Sequence, residues 1–194
     1  MLIVENLSDF RLLEVFAKRL GRKMPNIVPW PWTGGSKERK QLFQQLKSEI
    51  KGLKAISIRD RDDQELEQVD KVTLRDKAYG PDADDLLLRV WRRRHIENYL
   101  MHPAAIARAS GVPLDVVQEL MTSHALVIPP DFTSRDVADV VCLAPGKQVI
   151  QGGPTSVKAS FGVQPIDIAA AMQPDEISDD VVSLIDQIVG LCGT

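Results

Sequence analysis

The chain has 194 residues, enough for one substantial domain or a domain with a smaller lobe, and its 44% apolar and 26% charged residues are ordinary for a globular protein. A net charge of −3 excludes a strongly basic footprint over the whole molecule, while leaving a local one open. Cys142 and Cys192 stand far apart without metal-binding spacing, which argues against a structural zinc site and for a reduced, cytoplasmic setting. No apolar run approaches the roughly 20 residues of a membrane span, and Glu5 interrupts the apolar start before a signal peptide could form. So abrupt a start suits a module cut from a longer protein at least as well as a complete product.

Leu2–Val4 reads as a short strand. Ser8 or Asp9 can cap a helix from Phe10 to about Leu20, with Leu12, Leu13, Phe16 and Leu20 on one face and Gly21 ending it. Asn26–Trp30 reads as a second strand broken by Pro29 and Pro31, and Ser36 opens a helix whose Leu42, Leu46, Ile50 and Leu53 fall at helical spacing. Lys54–Ile58 is a third strand. Residues 63–85 are polar and acidic and look like an excursion, and Leu86–Trp91 is a fourth strand running into Arg92-Arg93-Arg94. From Pro103 onward the pattern is helical. Val117, Leu120 and Met121 form one stripe, Thr133–Ala144 a short helix stopped by Pro145-Gly146, and Val181, Ile185, Ile188 and Val189 a last amphipathic face beyond the glycine-rich stretch 152–162. The order β-α-β-α-β predicts an α/β fold, a Rossmann-like, mostly parallel sheet flanked by helices over 1–100, with a helical part over 101–194 completing the domain.

Two carboxylate groups sit where such sheets place their sites, beyond the carboxyl ends of the strands. Glu5 closes the first strand, with Asp9 four residues on, and Asp60 and Asp62 close the third. Residues i and i+2 of an extended segment share a face, so Asp60 and Asp62 are expected to point into one site. Crowded carboxylates repel and are normally held by a hard cation. Taken singly, Asp9 is a common helix cap and a DxD a common turn; their placement after strands one and three is more specific.

Leu2-Ile3-Val4-Glu5 with Ser8-Asp9, followed by Ile58-Arg59-Asp60-Arg61-Asp62, resembles the TOPRIM domain of topoisomerases, primases and OLD-family nucleases. Its usual glycine after the Glu is Asn6 here, a residue that tolerates positive φ. Arg94-His95-Ile96-Glu97-Asn98-Tyr99-Leu100 is similar to a segment of the TOPRIM proteins associated with ABC-type ATPases, and Pro145-Gly146-Lys147 resembles the Gly-Lys that carries the catalytic lysine of OLD nucleases. The resemblance implies a nuclease that uses one or two Mg²⁺ (or Mn²⁺) ions held by Glu5, Asp9, Asp60, Asp62 and Glu97. In it Glu5, Asp60, Asp62 and Lys147 are catalytic, and Lys147 meets charge that develops on the phosphate. Nucleic acid, DNA before RNA, is the implied substrate. An ABC-type ATPase in cis or trans, a homodimer, and a role in antiphage defence or repair follow from the same resemblance.

Arg92, Arg93 and Arg94 are candidate contacts to the nucleic-acid backbone, against the alternatives of a solvated face or structural partners for the acids. Trp30 and Trp32 suit packing more than base stacking, and His95, His102 and His124 lack mutual ligand spacing. A haloacid-dehalogenase-type phosphatase would use Asp60, Asp62, Lys147 and Asp179-Asp180 but leaves Glu5 idle. Topoisomerase chemistry needs a tyrosine nucleophile, and neither Tyr79 nor Tyr99 has a fitting setting. A primase normally works with a zinc module for which no cysteine pattern exists. A TOPRIM-like module that binds without cutting is the other alternative.

Overall fold

Leu2-Ile3-Val4 and Ala55-Ile56-Ser57-Ile58 are buried along their whole length, the continuous burial that central parallel strands require. The computed structural model describes residues 1–192. β1 (Leu2–Val4), β2 (Pro29–Pro31), β3 (Ala55–Arg59) and β4 (Leu86–Val90) form one all-parallel sheet in the order β2-β1-β3-β4. The expected α/β class holds, with every strand pair parallel. The chain moves from β1 outward to β2 and then returns to the other side of β1 for β3 and β4. The order therefore reverses between β1 and β3, where a crevice opens beyond their carboxyl ends.

β2 is shorter than expected and includes both prolines. Trp32 N donates to Val4 O at 2.7 Å, so the N–H positions of residues 30 and 32 face β1 and those of Pro29 and Pro31 face outward at the sheet edge, where no donor is needed.

Helix α1 (Leu7–Arg19) begins earlier than expected because Asn6 is its cap. Its Oδ1 accepts from Ser8 N at 3.0 Å and Asp9 N at 3.3 Å, while Asp9 Oδ2 accepts from Asn6 N at 3.2 Å. Asn6 is extended (φ −150), so the turn after Glu5 needs no left-handed residue. In α2 (Ser36–Glu49) the buried face is Arg39 and Phe43, whereas Leu42 and Leu46 are half-buried and Ile50 is exposed. A helix that buries an arginine misleads a reading based on apolar spacing alone.

Residues 63–85 are more than an excursion. Val69 and Leu74 are buried, Leu74 by adopting φ 62, and Val90 N and Asp76 N donate to Leu74 O and Leu88 O along the outer edge of β4. Buried Asp76 accepts from Ser36 Oγ, Arg59, Gln64 and Ala78 N, fixing this segment behind the end of β3.

The later helices are α3 (Pro103–Ser110), α4 (Leu114–Ser123), α5 (Asp139–Leu143), α6 (Gly146–Ile150), α7 (Val157–Phe161), α8 (Pro165–Ala171) and α9 (Asp179–Cys192). One continuous apolar core runs from Leu2 and Phe16 to Ile168 and Ile188, and α1 packs on α8 and α9, so the part after residue 100 shares its core with the sheet. The helix expected over Thr133–Ala144 is confined to α5. Carbonyls upstream are used elsewhere: Phe132 O by the Arg93 guanidinium, Arg135 O by that of Arg92, and Thr133 O by Asp179 N at 2.9 Å. Among the described residues no helix is long and apolar enough to cross a membrane.

Arg39, fully buried, crosses under the carboxyl ends of three strands. It donates to Gly34 O (2.7 Å), Trp32 O (2.6 Å), Ile58 O (2.8 Å), Ser57 Oγ (3.2 Å) and Ile3 O (3.3 Å). Burial pulls its pKa down to about 10, opposed chiefly by the nearby Glu5 carboxylate. Removing such a donor orphans several buried acceptors at once. Arg39→Met is expected to cost about 3 kcal/mol or more, read as a lower urea midpoint at unchanged m. A loss under about 1 kcal/mol would mean that these acceptors do not depend on it.

Candidate metal centre

Asp60 follows β3 and is the junction of the site. Its backbone N donates to Glu5 Oε1 at 3.1 Å, binding the end of β3 to the end of β1. Its Oδ1 accepts from Ile96 N at 3.0 Å, on the 3-10 turn Ile96–Leu100 that follows β4. Its Oδ2 accepts from Lys147 Nζ on α6 at 2.6 Å. One buried residue, through its amide and its carboxylate, thus ties four elements together where the sheet order reverses.

Asp62 is brought beside Asp60 by a turn, in place of the expected extended segment. β3 ends at Arg59, and Asp62 is left-handed with φ 51, a conformation Asp tolerates better than most residues. Arg94 O anchors the turn by accepting from Arg61 N (3.1 Å) and Asp62 N (3.2 Å). Buried Arg61 reinforces it by donating to Arg92 O (3.0 Å) and Cys142 O (3.2 Å).

His95, set aside for want of sequence spacing, joins this group. Potential ligand atoms of Asp60, Asp62 and His95 lie within 4.8 Å of one another. The partners of His95 are carboxylates 33 and 35 positions upstream, so only β3–β4 pairing brings them together and spacing along the chain carries no signal. Burial, and after it Lys147, lowers the His95 pKa to about 4, so the imidazole is neutral at pH 7.

Glu97 and Asp9 complete the acidic cluster. Glu97 is 5% exposed; its Oε1 accepts from Gln151 Nε2 at 2.7 Å, and its buried Oε2 has no partner among the described residues. Burial, then repulsion from Asp60, lifts its pKa to about 7. The same two causes lift Asp9 to about 6 and raise Glu5. Burial raises Asp60 against the opposing pull of Lys147. Asp9 and Glu97 share a cleft of about 310 Å³ with Gln151 and Gln164, beside the start of α1. An orphaned buried oxygen and several carboxylates lifted by burial and then by mutual repulsion fit a divalent cation, which would offset both. Of the expected oxygen donors, Asp60 and Asp62 place ligand atoms within 4.8 Å of one another and of His95, the one such group among the described residues, while Glu5, Asp9 and Glu97 stand outside it.

Lys147 owes its place to the residue before it. A Cβ on Gly146 would lie 2.2 Å from Asn98 Oδ1 and 2.7 Å from Asn98 N, so only glycine lets α6 approach the 3-10 turn this closely. Asn98 Nδ2 donates to Val141 O (3.0 Å) and Ala144 O (2.9 Å), tying the same turn to α5.

The arginine run serves the interior more than the surface. Arg93 is fully buried, its guanidinium over the Tyr99 and Phe132 rings at 4.6 and 4.3 Å and bonded to Asn98 O and Phe132 O, which leaves no face for a phosphate. Arg92 is buried and spent on Arg135 O. Arg94 alone reaches a cleft of about 310 Å³, lined also by Asp62, Gln64 and Leu143, where it pairs with Asp63 at 2.8 Å. Trp30 is half-buried in β2, and Trp32 is exposed with its indole close over Gly34. Asp180 accepts from Tyr99 Oη at 2.8 Å and is buried beside Arg93, so the carboxylate pair a dehalogenase-type phosphatase would need is committed elsewhere. Full burial, and after it the Asp180 carboxylate, raise the Tyr99 pKa well above its ordinary value, the opposite of what a nucleophile requires.

Fold and site together define an α/β protein with a carboxylate-rich centre at the switch point of a parallel sheet. No family model, curated protein or solved structure matches the chain.

Two outcomes are expected. Gly146→Ala forces α6 off the Asn98 turn, costing about 2 kcal/mol in urea denaturation, and pulls Lys147 from Asp60. Glu97 has a raised pKa in the folded protein, so the stability it contributes is full below its ordinary value of 4.5 and is lost as pH rises through about 7. The metal-free protein should therefore lose on the order of 2 kcal/mol from this group between about pH 5 and pH 8, and Glu97→Gln should flatten that slope. An unchanged slope in the variant would remove Glu97 as its source.

Proposed function

We propose that this protein is a metal-dependent phosphodiesterase of nucleic acid, DNA before RNA: a TOPRIM-type nuclease module of the OLD-like kind, serving defence or repair with an ABC-type ATPase. The observation that carries the reading is the convergence of Glu5, Asp60 and Glu97 with Lys147 at the sheet's switch point, where Asp60 touches Glu5 through its amide and Lys147 through its carboxylate. The parallel sheet supports the TOPRIM assignment, as do the positions of Glu5 after β1 and Asp60 after β3.

When bound, one or two Mg²⁺ or Mn²⁺ ions would supply Lewis-acid polarisation of the phosphoryl group and acidify an attacking water. The protein's own residues divide the remaining work. Lys147 is partly exposed beside Asp60; burial works against its ammonium, but the Asp60 hydrogen bond and the charges of Asp60, Glu97 and Glu5 outweigh it and raise the pKa, so a cation is placed to meet negative charge growing on a phosphate oxygen. Glu97, whose pKa is lifted to about 7 without a cation, would be drawn to its carboxylate form by a cation nearby. Arg94, at the rim of the cleft beside Asp62, is the one member of the arginine run left to meet a backbone phosphate.

Supercoiled plasmid, linear DNA and structured RNA incubated with Mg²⁺, Mn²⁺ or EDTA test the reading. Cleavage should require the cation, fall by about 10²-fold or more in Lys147→Ala, and disappear in Glu5→Ala and Asp60→Ala. Retained nucleic-acid binding without cleavage under every condition would replace it with a non-catalytic module, and hydrolysis of a small phosphomonoester alone would replace it with a phosphatase.

A further inference from the structure

We infer that His95 is a direct ligand of the cation held by Asp60 and Asp62, and that the centre therefore favours a first-row transition cation such as Mn²⁺ over Mg²⁺. The inference rests on the reading above that this is a cation centre, and it names the cofactor class which that reading leaves open.

Three observations meet at the imidazole. Donors about 2.2 Å from a shared ion lie no more than about 4.4 Å apart. The ligand atoms of Asp60, Asp62 and His95 already lie within 4.8 Å, so a few tenths of an ångström of side-chain movement seats all three on one ion. Next, the ring is poorly partnered, facing only the Asn98 backbone N–H in a capping arrangement that falls short of a hydrogen bond. One nitrogen is buried and unpaired among the described residues, and the other stands 3.8 Å from Asp62 Oδ1, beyond hydrogen-bonding distance. Nε2 is the nitrogen on the Asp62 side, and ligation there would give it the partner it lacks while Nδ1 stays toward the Asn98 turn. Finally, the backbone of His95 is pinned on both sides: its N donates to Asn98 Oδ1 at 3.1 Å and its carbonyl accepts from Asn98 N at 3.1 Å. The backbone that carries the ring is thereby fixed by the same asparagine against which Gly146 packs. Close by, the unpaired Oε2 of Glu97, in a side chain 5% exposed, is an independent mark of missing positive charge in this crevice.

The chemistry of the set decides the cation. Mg²⁺ takes oxygen donors in a near-ideal octahedron and keeps much of its water, whereas an imidazole nitrogen gains affinity along the first-row series. Two carboxylates and one imidazole make a mixed oxygen–nitrogen set suited to Mn²⁺ and its neighbours. Without the imidazole that preference would be weaker.

Electron paramagnetic resonance of the protein loaded with Mn²⁺ tests this directly. Pulsed spectra should show nitrogen-14 modulation from a ligated imidazole, and Mg²⁺ should compete poorly for the bound Mn²⁺. In His95→Gln the modulation should vanish and Mn²⁺ affinity should fall at least about tenfold, while Mg²⁺ affinity moves less than about threefold. The wild-type modulation decides the matter even if the variant folds poorly. Bound Mn²⁺ without nitrogen modulation, or equal losses of Mn²⁺ and Mg²⁺ affinity in the variant, would overturn the inference and leave the cation centre standing. Mn²⁺ that fails to bind, or binds as well to Asp60→Asn, would overturn both.

Discussion

Like charges crowded at one end of a sheet must be held against their own repulsion, and much of this structure is explained by how that is done. Glu5, Asp9, Asp60 and Glu97 all sit above their ordinary pKa values, with burial the largest cause in each. Two fixed cations answer them from opposite sides. Lys147 bonds Asp60 from the solvent side, and Arg39 lies beneath the strand ends with no carboxylate of its own, acting through the field. The acids thus remain close together in a folded chain without being neutralised in pairs, which keeps their oxygens available for a ligand.

The same economy governs the other buried arginines. Arg61, Arg92 and Arg93 spend donors on backbone carbonyls of the segments that frame the centre: Gln64, Arg92, Asn98, Phe132, Arg135 and Cys142. A guanidinium offers five donors in a rigid plane, so one side chain can fix several strands of irregular chain that have no ladder to hold them. That is why the segment before α5 stays irregular and still buries Phe132 and Val137. Precision at the acids is obtained from loops, which ordinarily give it poorly, because these loops are cross-tied from inside.

How much of this was legible in the sequence follows from which contacts are local. Strands and helices with regular apolar spacing, such as β1, β3, β4 and α1, could be read because burial imposes its period on the residues themselves. So could the placement of Glu5 and Asp60, since each directly follows a strand. Asp62 lay within reach by position, yet its orientation comes from a left-handed turn anchored on Arg94 O, a partner 32 residues away. His95 was invisible because its partners arrive only through strand pairing. The arginine run misled in a specific way: three adjacent basic residues carry no mark that says whether they face water, a phosphate or the carbonyls of a loop not yet placed. Arg39 misled likewise, looking like one polar residue in a polar helix while occupying the middle of its buried face.

The two prolines of β2 have a consequence away from the crevice. At the outer edge of that strand residues 29 and 31 present no N–H, so a row of hydrogen bonds cannot be continued by another strand. At the opposite edge the segment around Leu74 and Asp76 already takes the donors of β4 and offers its own in return. Both margins of the sheet are closed to strand addition. A second copy of the chain, or any other protein that assembles with it, has to be accommodated by helices and loops, and the sheet itself is protected against edge-to-edge polymerisation.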